Sequence, residues 1–431
     1  MILLTHPTGN EFVREAIRAL RDEAGLLSEF WTSVCWNQQH LLNRLLPHSV
    51  SRELGRRAFS HIGRDQMHCH PWVEVGRLAA QKLNLSRLLR HEVGRFSVDA
   101  VYRSLDSRVA GRLYDAPNIR GVYAYEDGAL ASFRVARQLG IKTIYELPIG
   151  YWRYYQELMQ EEASLQPEWA VTLQGRGDSD EKLRRKDEEL ALATDIVVPS
   201  EFVRDTLRMA SLEAPVTVLP YGAPPTERMV RTERSARDGK LKVLFVGGLS
   251  QRKGLSYLLQ AVTRFGSKIE LTLVGRRVAE CRAVDAALRA HRWIPSLPHA
   301  AVLEEMSRHD VMVFPSLFEG CALVVLEAMS RGTPVITTPN SGALHSISDG
   351  EDGFIVPIRN VEAIVERLEM LILDRDRLAA MSLAATRKAS QHSWEQYRHR
   401  LANTVRQALT KDTVIRSTTP RSSHPEVCPS C

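Results

Sequence analysis

Two glutamates stand eight positions apart in Phe318-Glu319-Gly320-Cys321-Ala322-Leu323-Val324-Val325-Leu326-Glu327-Ala328-Met329, on either side of a glycine turn that opens a helix. Eight positions within one helix would part them by ~12 Å along its axis, so a single helix cannot aim both at one point. With Glu319 in the loop and Glu327 in the second helical turn, both can line one ligand. The backbone N–H groups of Cys321, Ala322, Leu323 and Val324 would then face that ligand from the helix N-terminus, where an anion is favoured. Taken alone, the segment reads equally well as an acid beside a helix start followed by a surface glutamate.

A second segment, Gly247-Gly248-Leu249-Ser250-Gln251-Arg252-Lys253-Gly254, lies between an apolar run and a helical pattern. Glycines let backbone approach a phosphate, and Arg252 and Lys253 supply compensating charge. The spacing is neither the GxxxxGK[ST] of a P-loop nor the GxGxxG of a dinucleotide site.

The elements that must position these loops follow from periodicity. Lys242-Val243-Leu244-Phe245-Val246 is a buried strand, and Leu255, Leu258, Leu259, Val262 and Phe265 share one helical face. Strands are expected at 271–274, 311–314, 335–338 and 354–356, with helices between them. Such alternation means a parallel sheet covered on both faces. The N-terminal half repeats the pattern less cleanly: strands at 2–4, 122–124, 143–145, 196–198 and 216–218, a helix from Glu11, and a mixed charge run from Asp178 to Glu189 that reads as a solvated helix. We therefore expect an N-terminal domain over 1–225, a polar linker over 226–240, and a second domain over 241–392. A C-terminal helix over 393–410 and a disordered tail over 411–431 follow. Two doubly wound sheets in series leave a cleft at their strand C-terminal ends, where such sheets bind ligands.

Together, in this order and about 70 residues apart, the two segments resemble the family 4 glycosyltransferases, whose second domain carries a G-R-L-x-x-x-K-G loop and an E-x7-E element. The loop matches at Gly247, Leu249, Lys253 and Gly254, and the acidic pair at Glu319 and Glu327. Val313-Phe314-Pro315-Ser316, Gly332-Thr333-Pro334-Val335-Ile336 and Asp349-Gly350-Glu351-Asp352-Gly353-Phe354 also look like the family. The resemblance is strong over about 240–400 and loose before it. It implies the GT-B fold, two Rossmann-like domains with parallel sheets facing across a cleft. It also implies a retaining, hexosyltransferase-type enzyme of polysaccharide biosynthesis that uses a UDP- or GDP-sugar and no metal or other cofactor. Lys253 would hold the donor diphosphate, Glu327 the ribose hydroxyls, and Glu319 the sugar. The departure is Gly248, where the family has arginine; Arg252 is the candidate substitute, and a solvent-facing Arg252 is the alternative. In the first domain, Gly9 matches the acceptor-side loop glycine, and Glu146 stands where the family has a histidine. Glu126 and Asp127 are further acceptor-side candidates, or else helix caps or partners of Arg134 and Arg153. A degenerate nucleotide-sugar binding protein and a GT-B nucleotide-sugar epimerase are the competing readings.

Composition sets the remaining bounds. The 431 residues carry a net charge of +6, with 44% hydrophobic and 25% charged residues. That suits phosphates or an anionic membrane surface, but the cations lack the dense clustering of a nucleic-acid binder. No stretch approaches the ~18 apolar residues of a membrane span. Met1 to Phe12 has no basic region of the kind that begins a secretory leader, so a cytoplasmic location is expected, including the inner membrane face as a peripheral site. A lipid-linked glycan is among the acceptors this would allow. Six cysteines read as reduced thiols; Cys428-Pro429-Ser430-Cys431 lacks the second pair of a zinc site, and His61, His68, Cys69 and His70 read as a polar loop.

Overall fold

The computed structural model describes residues 1–36, 59, 62–63, 65–173, 175, 177–226 and 239–410. His61, most of the expected linker, and the tail with Cys428 and Cys431 lie outside them. Seven strands form the first sheet: β1 (Ile2–Thr5), β2 (Leu27–Thr32), β3 (Met67–Cys69), β4 (Gly121–Tyr125), β5 (Lys142–Glu146), β6 (Asp195–Val198) and β7 (Val216–Val218), in the order β3-β2-β1-β4-β5-β6-β7. Six form the second: β8 (Leu241–Val246), β9 (Ile269–Val274), β10 (Arg292–Ile294), β11 (Val311–Phe314), β12 (Val335–Thr337) and β13 (Gly353–Ile355), ordered β10-β9-β8-β11-β12-β13. Every pairing between these strands is parallel. The central strands are buried on both faces, as their unbroken apolar runs require. In each sheet the order reverses beside the first strand, between β1 and β4 and between β8 and β11. Those two switch points are where a ligand crevice opens.

Three strands were not legible from apolar runs. β2 carries Glu29 in its interior, buried because Arg112 Nη2 (2.7 Å) and Trp31 Nε1 (2.8 Å) donate to it. β3 holds His68 and Cys69, expected in a loop; His68 stacks on Trp31 with ring centroids 4.9 Å apart. β10 is a three-residue edge strand. The charge run also differs from expectation, since helix α6 (Asp180–Leu192) buries Lys182, Lys186 and Glu189. Their partners come from other elements: Lys182 Nζ meets Asp99 at 3.0 Å, and Lys186 Nζ meets Glu126 at 3.2 Å.

Among the contacts that tie the domains together, two are built on buried glutamates. Helix α5 (Trp152–Leu165) of the first domain presents Glu162, fully buried, to Gln251 Nε2 (2.7 Å), Tyr257 Oη (2.8 Å) and Arg359 Nε (2.7 Å) of the second. Removing one partner of such a buried pair costs about 3–5 kcal/mol. After the second sheet the chain returns in helix α14 (Trp394–Thr410), which packs on the first domain through Arg398 Nη1 to Glu15 (2.7 Å) and through Tyr397.

Candidate functional site

The loop after β8 turns sharply at Gly254, whose φ is +68° and whose added Cβ would lie 2.0 Å from Pro315 O. No side chain fits there, so the loop closes directly on the segment after β11. This brings Lys253, Arg252 and Glu319 to one point. Glu319 Oε1 accepts from Lys253 Nζ, from Arg252 Nη1 (2.9 Å) and from Ser316 Oγ (3.0 Å). Arg252 Nη1 also donates to Phe318 O (2.6 Å), and Lys253 Nζ lies 5.0 Å from the centre of the Phe314 ring. Arg252 is therefore not the solvent-facing loop residue of the alternative reading. Burial pulls the Lys253 ammonium below its usual value; Glu319 raises it in part, and Arg252 lowers it further. Burial alone would raise the Glu319 carboxyl, but the two cations outweigh it and hold the group ionised.

Gly320 follows at the tightest point between the domains. A Cβ there would sit 1.7 Å from Pro148 O, and Ser200 Oγ of the first domain donates to Gly320 O (2.6 Å). Phe318 packs among Tyr154, Tyr155 and Phe202. This seam divides the cleft into two cavities.

The larger cavity, about 750 Å³, lies between the loop after β1 and helix α11 (Leu323–Ser330). Gly9, Arg14, Arg18 and Arg398 line one side; Leu323, Glu327 and His299 line the other. Glu327 stands in the second turn of α11, as its spacing required, and its Oε1 meets His299 Nε2 at 2.9 Å. That hydrogen bond raises the His299 pKa. The amide of Ala322 is not available to a ligand, because it donates to Ser341 O (3.0 Å). Cys321 is buried, and burial lifts its thiol to about 12. Gly247 uses its amide to bind Val274 O (2.9 Å). A Cβ on Gly248 would meet only Val278 Cγ1, at 3.2 Å.

The smaller cavity, about 260 Å³, is lined by Arg252 and Phe318 of the second domain and by Glu126, Lys186, Trp152 and Tyr155 of the first. Asp127, at φ +71°, pairs with Arg185 (3.1 Å). Arg134 and Arg153, the expected partners of these acids, bind Glu188 and Asp187 instead.

Glu146 reaches neither cavity, contrary to expectation. The strand pleat sends Tyr145 toward α6 and Glu146 to the opposite face, where Tyr123 Oη (2.5 Å) and Tyr221 Oη (2.7 Å) donate to it. It is 1% exposed, and burial lifts its pKa to about 7 despite those phenols. Between its ordinary 4.5 and 7 the folded protein holds a proton that the unfolded chain has lost. Stability from this group is thus present at low pH and is lost as pH rises through 7. Wild type should gain on the order of 3 kcal/mol of unfolding free energy between about pH 8 and pH 5, and Glu146→Gln should lose that increment. Urea unfolding at both pH values checks this; parallel pH dependence in the two proteins would contradict it.

The second domain is the part of the chain that resembles known proteins in sequence. Residues 226–388 match the family model described as Glycosyl transferases group 1. Among curated proteins similar to this chain is D-inositol 3-phosphate glycosyltransferase of Corynebacterium urealyticum, 31% identical over 193 residues, which are 40% of this chain and 45% of that protein. The chain spans less than half the length of the first curated relatives it matches. Among solved structures, sucrose-phosphate synthase from Thermosynechococcus elongatus superposes with a TM-score of 0.62 at 18% identity, covering 94% of this chain and 98% of that one. Anabaena HepE in complex with UDP-glucose gives 0.57 at 14% identity, covering 94% and 99%. The chain has the GT-B fold of these neighbours. His299, which lines this cavity beside Glu327, was not foreseen from the sequence. It opens a helix 28 positions before Glu327, and only the packing of α10 (His299–Ser307) beside α11 brings the two together.

Proposed function

We propose that this chain is a retaining glycosyltransferase that takes its sugar from a nucleoside-diphosphate donor and passes it to a glycan, lipid or small-molecule acceptor. The observation that carries this reading is the placement of Glu327. It projects from the second turn of α11 into a cavity of about 750 Å³ between two Rossmann-like domains, across from Gly9. That volume is in the range of small-molecule sites. The group 1 match and a structural neighbour bound to UDP-glucose support a nucleotide-sugar donor.

In this reading Glu327 accepts the ribose hydroxyls, and Lys253 with Arg252 neutralises the diphosphate. Both cations sit on Glu319 before the donor arrives, so the diphosphate competes for them and frees Glu319 to meet the sugar. Catalysis rests on positioning and on stabilising charge at the departing diphosphate, which itself accepts the acceptor's proton during front-face attack. No step calls on a metal. Gly248 and the pairing of both cations favour one second reading, a protein that binds nucleotide sugars without transferring them.

Glu327→Gln should weaken ribonucleotide donors about tenfold or more, since a carboxylate accepts two hydroxyl hydrogen bonds better than an amide does. A 2′,3′-dideoxy donor analogue should bind both proteins alike. An equal loss against that analogue would remove the ribose role.

A further inference from the structure

The helix α2 (Trp72–Lys82) is amphipathic in the wrong sense for a soluble surface. Trp72, Val75, Ala79 and Lys82 recur at i, i+3, i+7 and i+10 along one stripe, and all four are exposed, Trp72 at 76%. The inward stripe holds Glu74 and Arg77, joined by two hydrogen bonds of 2.6 and 2.7 Å, and the small Ala80. A soluble helix would turn its tryptophan and valine inward and its ion pair outward. The turn that follows continues the pattern with exposed Leu83 and Leu85, the loop beyond adds Val93, 74% exposed, and the next helix opens on exposed Val98. Six of the fifteen large apolar side chains exposed among the described residues fall between 72 and 98, so exposed apolar surface is concentrated in this stretch of the chain.

Charge tells what covers it. Between 72 and 98 the exposed cationic side chains are Lys82, Arg87, Arg90 and Arg95; His91, also exposed, is already engaged by Asp178 at 2.8 Å. The acids of the same stretch are withdrawn: Glu74 is buried against Arg77, and Glu92 accepts from Ser179 N (2.8 Å). Aromatic and aliphatic side chains interleaved with cations, with no exposed acid, match the boundary between acyl chains and anionic headgroups.

We propose that residues 72–98 are a docking face for an anionic phospholipid membrane, on which α2 lies in the plane of the interface. Trp72 and Val75 enter the acyl boundary, and the cations meet lipid phosphates. The inference stands on this patch and not on the chemistry of the cleft. It would place the first domain against a bilayer and let an acceptor embedded in it reach the protein by lateral diffusion.

Flotation of the full chain with phosphatidylcholine vesicles, with and without phosphatidylglycerol, tests it. Binding is expected only when phosphatidylglycerol is present, and it should weaken as salt rises. Trp72→Ala with Val75→Ser, and separately Arg87→Glu with Arg90→Glu, should each reduce the bound fraction by about tenfold or more. All four positions are exposed or on the outer stripe, so circular dichroism should show folded variants. Equal binding to neutral vesicles, or variants that float like wild type, would overturn the proposal. So would a dimer in sedimentation equilibrium that the Trp72 variant dissolves without changing vesicle binding.

Discussion

Lys253→Ala should lower kcat/KM for a nucleotide-sugar donor by about 30- to 1000-fold, a loss of ~2–4 kcal/mol in transition-state binding. The effect is large because the ammonium sits in a desolvated seam, where its charge acts in a low dielectric. Its removal leaves Glu319 with Arg252 and Ser316 as donors, so the fold should survive. Donor affinity and turnover measured beside Tm separate the two effects. Unchanged kinetics at matched stability would remove Lys253 from the donor site.

The next largest effect belongs to Arg252. Its guanidinium shares Glu319 with Lys253 and reaches the Phe318 carbonyl, so it stands beside the cation assigned to the diphosphate, on the seam between its own cavity and that of Glu327. Arg252→Ala should weaken nucleoside-diphosphate affinity by about tenfold or more, because a planar fork gives two charge-assisted hydrogen bonds that Lys253 cannot duplicate. A Cβ on Gly248 would meet Val278 Cγ1 at 3.2 Å, a tight contact that asks that side chain to shift by a few tenths of an ångström, and the φ of Gly248 is not left-handed. Gly248→Arg combined with Arg252→Ala should therefore recover part of the lost affinity. If Arg252→Ala binds nucleoside diphosphates like wild type, the clamp consists of Lys253 and backbone amides. The non-transferring reading then gains.

Most strands of the second domain were legible as short apolar runs, those of β8 and β9 closed by glycine, a pattern that parallel sheets impose; the edge strand β10 was not. In the first domain β2 escaped because a buried carboxylate, Glu29, interrupts the run, and its compensation by Arg112 comes from 83 positions away. The same limit applied to the site. The positions of Glu327 on its helix and of Lys253 beside Glu319 follow from local spacing and loop closure. What Glu146 faces depends on which side of β5 the tyrosines of β4 and the returning helix α14 lie, and no local spacing encodes that. Likewise, α6 reads as a solvated charge run until Asp99 and Glu126 are seen to meet its lysines.

The most direct test of the nucleotide-sugar reading is a screen of the purified chain against UDP- and GDP-sugars. It would measure Tm and release of nucleoside diphosphate in the same samples. At least one donor, at 100-fold its Kd, should stabilise the protein by ~2.7 kcal/mol. That donor should also be cleaved, with Lys253→Ala losing both signals together. A folded protein whose Tm moves with none of these donors, and which releases no diphosphate from any, would contradict the reading.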